Sequence, residues 1–154
     1  FYALIRDPVF VLKKELYRIP MFGSYARKLG MIEIDRSGGV SEARRMIRDV
    51  IMQLEKGRPV VIFPGGTRSA PGEIVALKSG VSALYRRCNV PVVAVSLNSG
   101  WFWGRRSFVK KPGKIVAGFH EPIPPGLDTE VFNTVLSTRI HDGNESLLEE
   151  ARKS

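Results

Sequence analysis

Val60-Val61-Ile62-Phe63-Pro64-Gly65-Gly66-Thr67-Arg68-Ser69 is the stretch on which the fold of this chain turns. Residues 59–63 form a continuous apolar run, the pattern of a strand buried on both faces. The run ends at a proline. Two glycines then let the backbone turn tightly and come close to a ligand. A hydroxyl and a guanidinium follow at once. The composition predicts a polar loop over residues 65–72 and a helix over residues 78–88, with Val81, Leu84 and Tyr85 inward. Strand, loop and helix in that order are the building unit of an α/β domain, whose ligands sit at the carboxyl ends of its strands.

The same reading extends in both directions. Upstream, residues 9–12 are β-prone, and residues 20–29 suit a short helix closed at Gly30. Residues 31–35 alternate apolar and acidic, as a strand with one wetter face does. Ser37-Gly38-Gly39 is a turn. Val40, Ala43, Met46, Ile47, Val50, Ile51 and Leu54 then fall three and four apart. That spacing predicts an amphipathic helix ending at Gly57, with Arg44, Arg45, Arg48 and Asp49 outward. Downstream, residues 91–97 read as a second buried strand and residues 115–119 as a third. Pro122-Ile123-Pro124-Pro125 breaks the pattern. Asp128 is an N-cap for a helix over residues 129–140. Gly143 is expected to interrupt it, with helix resuming over residues 145–152. The predicted class is α/β: a single domain over residues 1–154 with a central, mostly parallel or mixed sheet flanked by helices. An acidic helical tail occupies about residues 128–154.

Composition bounds the function. At 154 residues and 17.2 kDa, 44% hydrophobic and 25% charged, the chain suits one domain that buries its own core. A disulfide scaffold, a fibrous protein and a mostly disordered chain are excluded. Cys88 stands alone, which forbids an internal disulfide and fits a reducing compartment. No apolar run approaches the roughly 20 residues a spanning helix needs, and no stretch reads as a signal peptide. The net charge of +9 is uneven. Residues 1–60 carry 12 basic and 7 acidic side chains, residues 61–115 carry 9 and 1, and residues 116–154 carry 3 and 7. A central block with Glu73 as its one carboxylate suits phosphates, anionic lipid heads or nucleic acid.

The loop after residue 63 lies in that block. Its backbone N–H groups, Thr67 and Arg68 can hold a phosphate, with Arg68 as a bidentate donor and Thr67 at short range. The Gly-x4-Gly-Lys-Ser/Thr pattern occurs nowhere, which disfavours a Walker-type nucleotide site. His120 and His141 are far apart, with no carboxylate cluster between them, so no metal site is expected. Each histidine reads as a solvated or locally paired side chain. Arg86 and Arg87 could lower the pKa of Cys88, although its place before a buried strand favours a structural role. Trp101-Phe102-Trp103, followed by Arg105 and Arg106 and then Lys110 and Lys111, suits a membrane interface: rings at headgroup depth, cations toward anionic lipid. The competing reading folds one or both tryptophans back onto the core under a β-hairpin.

The order of these segments carries a resemblance. Lys14-Glu15-Leu16, Ile19-Pro20 and Gly23 lead into Gly30-Met31-Ile32-Glu33-Ile34-Asp35-Arg36. Phe63 to Arg68 follow, then Leu77-Lys78-Ser79-Gly80 and Val90-Pro91-Val92-Val93-Ala94-Val95. This succession resembles the glycerolipid acyltransferase superfamily, most closely the 1-acyl-glycerol-3-phosphate (lysophosphatidate) acyltransferases, over residues 10–126. The resemblance implies transfer of an acyl chain from acyl-CoA or acyl carrier protein to the free hydroxyl of lysophosphatidate, with no cofactor beyond the acyl carrier. It implies work at the cytoplasmic face of a membrane, with an anionic membrane surface and acyl carrier protein as candidate partners. Arg36 and Arg68 would take the acceptor's phosphate, Gly65, Gly66 and Thr67 would shape its site, and Lys78 would add to the field.

Three positions depart from the family pattern. Gly65 stands where the family usually has Glu, a carboxylate that can orient the arginines or the glycerol hydroxyls. Ala94 replaces a second proline. The family's catalytic His-x4-Asp block, with His as general base and Asp holding its tautomer, is matched by neither histidine: Pro125 lies five after His120, and Ser146 five after His141. The block is expected just before Phe1, so the 154 residues hold no catalytic residue and are expected to be inactive alone. Peripheral attachment, or anchoring by such a preceding segment, follows from the same expectation. Two other readings compete. One is a non-catalytic relative that keeps the anion-binding and membrane surface. The other is a nucleic-acid binder, for which no motif speaks.

Overall fold

The computed structural model describes residues 4–35, 37–66, 76–104 and 108–153. The chain divides into two compact units, one running to Phe63 and one from Pro64 onward. The fold is mixed α/β, with a parallel three-stranded sheet flanked by helices.

The first unit holds that sheet. β1 (Val9–Lys13) lies in the middle, parallel to β2 (Ile32–Ile34) on one side and β3 (Val60–Val61) on the other. Val11 pairs with Ile32 and Val9 with Val60. A 3-10 helix (Lys14–Arg18) and α1 (Phe22–Lys28) connect β1 to β2, and Gly30 takes the positive φ that closes α1. α2 (Gly39–Glu55) crosses from β2 to β3; of the expected apolar stripe it buries Met46 and Val50, half-buries Ala43, Ile47, Ile51 and Leu54, and leaves Val40 exposed. Val9 and Ile32 complete the core from the sheet side. Of the expected outward face, Arg44 and Arg48 are exposed, while Arg45 and Asp49 are half-buried. The expectation of a long strand over residues 59–63, buried on both faces, is corrected. β3 has two half-buried residues, and Phe63 is exposed.

Arg58 fastens this unit. Its guanidinium donates to both Asp7 carboxylate oxygens at 2.7 and 2.8 Å, to Gln53 Oε1 at 2.9 Å and to the Leu29 carbonyl at 3.0 Å. One planar fork thereby joins the entry to β1, the end of α1 and the end of α2.

The second unit pairs β4 (Val92–Leu97) with β5 (Ala117–Ile123) in antiparallel register, Val92 opposite Ile123 and Leu97 opposite Ala117, with an irregularity between Val93 and Val95. α3 (Ser79–Cys88) and α5 (Thr129–Lys153) pack around it, and the single turn α4 (Ser99–Phe102) follows β4. Tyr85, Ala94, Ile123, Phe132, Leu136 and Ile140 form the core. The Tyr85 and Phe132 rings stack with centroids 3.7 Å apart. The Tyr85 hydroxyl donates to the Pro124 carbonyl at 2.6 Å and accepts from Leu127 N–H at 2.9 Å, so the buried phenol is satisfied.

Three expectations are corrected here. β4 is buried on one face only: Ala94 and Ser96 point inward and Val93 is exposed. β5 continues through Pro122 to Ile123, and the exposed Ile115 lies outside it. Proline is tolerated on a strand whose other edge makes no ladder among the described residues. Gly143 does not interrupt α5, which runs unbroken for 25 residues. Asp128 does cap it, its Oδ1 accepting from Glu130 N–H at 2.8 Å.

Candidate anion-binding loop and its surroundings

The loop after β3 starts in the described residues and is closed at its base. Gly66, half-buried, has φ +67°, which an L side chain rarely adopts. The Lys78 N–H donates to the Pro64 carbonyl at 3.1 Å, and the Lys78 carbonyl accepts from Val81 N–H at 2.9 Å. Lys78 is therefore both the N-cap of α3 and the residue pinned to the start of the loop. The first turn of α3 has no acidic residue and, among the described residues, no capping side chain. Its first amides and partial positive charge are not neutralised from within the helix. The Lys78 side chain is exposed. Of the expected site residues, Gly65, Gly66 and Lys78 are thus brought to one loop base. Thr67, Arg68 and Arg36 lie outside the described residues.

The residues flanking Arg36 are tightly held. Asp35 Oδ1 accepts from the Ser37 N–H at 2.9 Å and from its hydroxyl at 2.5 Å, and Lys14 Nζ lies 3.1 Å from Oδ2. These donors, Ser37 first and Lys14 after it, lower the Asp35 pKa to about 2. The Asp35 N–H donates to Glu42 Oε1 at 3.0 Å, and Glu42 is paired with Arg45. The Arg45 bond, then the Asp35 N–H, lower the Glu42 pKa. The sequence reading missed this network, although Asp-x-Ser is the spacing of an Asx turn.

The aromatic run after β4 is divided. Phe102 is buried: its carbonyl accepts from Lys111 N–H at 2.8 Å, and a Cβ at Gly113 would overlap its ring. Trp101 is half-buried, with Lys111 Nζ 4.3 Å and the Arg152 guanidinium 5.6 Å from its ring centroid. Trp103 is exposed, with Lys110 Nζ 4.5 Å from its ring. Arg105 and Arg106 lie outside the described residues.

His120 Nε2 shares a 2.7 Å hydrogen bond with the buried Ser96 Oγ, and His141 is half-buried in α5. Burial raises the Cys88 pKa, against the lowering that its arginine neighbours suggested. Among the described residues no group of His, Cys, Asp or Glu gathers as a metal site, and no helix is long and apolar enough to cross a membrane.

Comparison with known proteins identifies the family. The family model described as Acyltransferase matches residues 1–98. A 1-acyl-sn-glycerol-3-phosphate acyltransferase of Pseudomonas aeruginosa is 35% identical over 105 residues, 68% of this chain and 41% of that one. Its namesake in Bacillus subtilis is 31% identical over 114 residues, 74% of this chain and 53% of that one. The crystal structure of the 1-acyl-sn-glycerophosphate (LPA) acyltransferase PlsC from Thermotoga maritima superposes with a TM-score of 0.73 at 27% identity, covering 92% of this chain and 57% of that one. The chain spans about two fifths to just over half the length of these relatives. It belongs to the Acyltransferase family, within the glycerolipid acyltransferases to which its succession of sequence blocks pointed.

Proposed function

We propose that this chain is the acceptor-binding core of an enzyme that acylates 1-acyl-glycerol-3-phosphate. In that reaction the free glycerol hydroxyl attacks the carbonyl carbon of an acyl thioester. The C–S bond breaks, the thiolate departs, and the hydroxyl proton ends on it, giving the free thiol. The donor is acyl-CoA or acyl carrier protein. The observation that carries the reading is the Lys78 N–H bond to Pro64, which brings the uncapped start of α3 to the base of the Gly65-Gly66 loop. A phosphate monoester suits such a start, because helix N-terminal amides favour anions. The names of the relatives support the same acceptor.

Within this reading Thr67 and Arg68 complete the phosphate contacts, and Arg36 keeps the same role on the family resemblance. The general base is not among these 154 residues, so they bind the acceptor without turning it over. An anionic membrane at its cytoplasmic face is the proposed setting, with Trp103 and Lys110 as an interfacial pair. Gly65 supports a second reading, a non-catalytic lipid-binding relative, since the carboxylate usual at that position is missing.

Titration calorimetry with a short-chain lysophosphatidate tests the proposal. Arg68→Ala is expected to weaken binding at least about tenfold, the worth of a bidentate charge-assisted contact. Binding equal to the parent's sinks the assignment.

A further inference from the structure

The first unit carries an exposed apolar tip that neither the loop nor the aromatic run accounts for. Ile19, Met21, Phe22 and Tyr25 are 49, 87, 44 and 65% exposed. Phe22 and Tyr25 stand three residues apart in α1, on one outer face. Gly23 and Ala26 form its buried face.

The most exposed of the four is also the most constrained. Met21 has φ 64° and ψ −51°, and the Phe22 N–H donates to the Pro20 carbonyl at 2.7 Å. That is a γ-turn of positive φ, rare and strained for an L residue. The turn is held from its inner side. Gly23 N–H donates to the Ile19 carbonyl at 3.0 Å and Tyr25 N–H to the Met21 carbonyl at 2.9 Å. A Cβ at Gly23 would overlap the Tyr17 carbonyl, so only glycine allows the approach. The tip is thus built, and an occupant need not order it first.

Charge decides which occupant. Residues 16–32 contain Arg18, Arg27 and Lys28 and no Asp or Glu, and all three cations are exposed. A second copy of this chain on a two-fold contact would set like charge against like. An anionic bilayer meets both parts at once: rings and thioether in the headgroup boundary, cations on the lipid phosphates.

We propose that the tip formed by Ile19, Met21, Phe22 and Tyr25 is a membrane-docking wedge for anionic lipid. The proposal rests on the membrane setting given above but uses residues of the first unit rather than Trp103 of the second, and the test keeps the two apart. The 154-residue chain is cosedimented with vesicles of equal parts phosphatidylcholine and phosphatidylglycerol, and with pure phosphatidylcholine. Met21→Gly with Tyr25→Ser is expected to lower the anionic partition coefficient at least about tenfold, as loss of two inserted side chains does. The melting temperature should not fall, because glycine accepts the positive φ. Arg18→Gln with Lys28→Gln should flatten the salt dependence. Tyr25→Ser alone, at an exposed position, is the second variant should the first not fold, with about a threefold loss expected. Partitioning of Met21→Gly/Tyr25→Ser equal to the parent's overturns the wedge, and Trp103→Ala then reports on the other surface. A parent that ignores both vesicles overturns wedge and membrane setting together. A parent dimer that these variants dissociate assigns the tip to self-association and also overturns it.

Discussion

Ser96 Oγ and His120 Nε2 share a 2.7 Å hydrogen bond that stitches β4 to β5 under the long C-terminal helix. Ser96 is 1% exposed, so the pair is sealed from solvent on its serine side. α5 passes over it at Gly143, where a Cβ would overlap both the hydroxyl and the imidazole. One residue later Asn144 Oδ1 accepts from the Leu97 N–H at 2.9 Å. Glycine therefore stands mid-helix for a packing reason, and its propensity cost is offset by the contact it permits.

Gly143→Ala separates the two effects. Alanine is the better helix former by about 1 kcal/mol. Overpacking against a buried polar pair costs about 1–3 kcal/mol. The variant is expected to be less stable in urea unfolding, and Ser96→Ala in the same chain should recover part of the loss. An unchanged or raised midpoint for Gly143→Ala would mean that the helix moves off the pair freely.

That same glycine shows where sequence reading stops. The apolar spacing of α2, the Asp128 cap and the inward Leu84 and Tyr85 were legible because they depend on local pattern. Gly143 and Pro122 looked like breaks because local propensity penalises them. Tertiary contact reverses both: one residue is kept for what it touches, the other sits on a strand that, among the described residues, pairs along one edge. The run at 59–63 was apolar enough for a central strand, yet only Val60 and Val61 pair. At the candidate site, glycine and lysine were legible as residue types. The Lys78 bond to Pro64 and the γ-turn at Met21 were not, since neither leaves a periodic signal.

Arg58 offers a second test of tertiary fastening. Its side chain is largely buried and makes four hydrogen bonds to three segments. Arg58→Ala is expected to cost about 2–3 kcal/mol, because charged hydrogen bonds are lost and Asp7 and the Leu29 carbonyl lose a donor. Arg58→Lys should recover little, since an ammonium cannot reproduce the fork. A cost below about 0.5 kcal/mol in denaturant unfolding, the range of a plain surface substitution, would show that the unit holds without it.

Asp35 should make the first unit acid-sensitive. Its pKa is lowered to about 2 in the fold, against about 3.9 for an unfolded Asp. The folded state thus binds fewer protons, and stability rises with pH across that interval. The contribution is fully present above about pH 4–5 and is lost as pH falls through about 2. The lowered Glu42 pKa acts in the same direction. Asp35→Asn should flatten this acid limb in denaturant midpoints taken from pH 7 to pH 2. An unaltered limb would place the acid sensitivity elsewhere.

Gly65 can be asked what the family's carboxylate would do. Gly66 is the glycine of this loop with a positive φ, so the backbone at Gly65 does not itself require glycine. Gly65→Glu is expected to leave the melting temperature within a few degrees. It should raise the preference for lysophosphatidate over inorganic phosphate, because a carboxylate can accept from the glycerol hydroxyl while adding charge that opposes phosphate alone. Competition calorimetry reads the ratio. A ratio that stays level would detach Gly65 from acceptor choice.

Turnover is the remaining question, and the Ser96–His120 bond bears on it. An acyl acceptor hydroxyl needs a base within about 3 Å, and proton transfer of this kind contributes roughly 10²–10⁴ in rate. Nε2 of His120 is already engaged with a buried serine, and no aspartate follows either histidine at the fifth position. These 154 residues alone should give no acyl-CoA-dependent acylation of lysophosphatidate above the uncatalysed rate, while still binding the acceptor. His120→Ala should lower stability and leave that affinity unchanged. A purified sample of this chain that turns over, and loses turnover in His120→Ala, would make His120 the base and reverse the assignment.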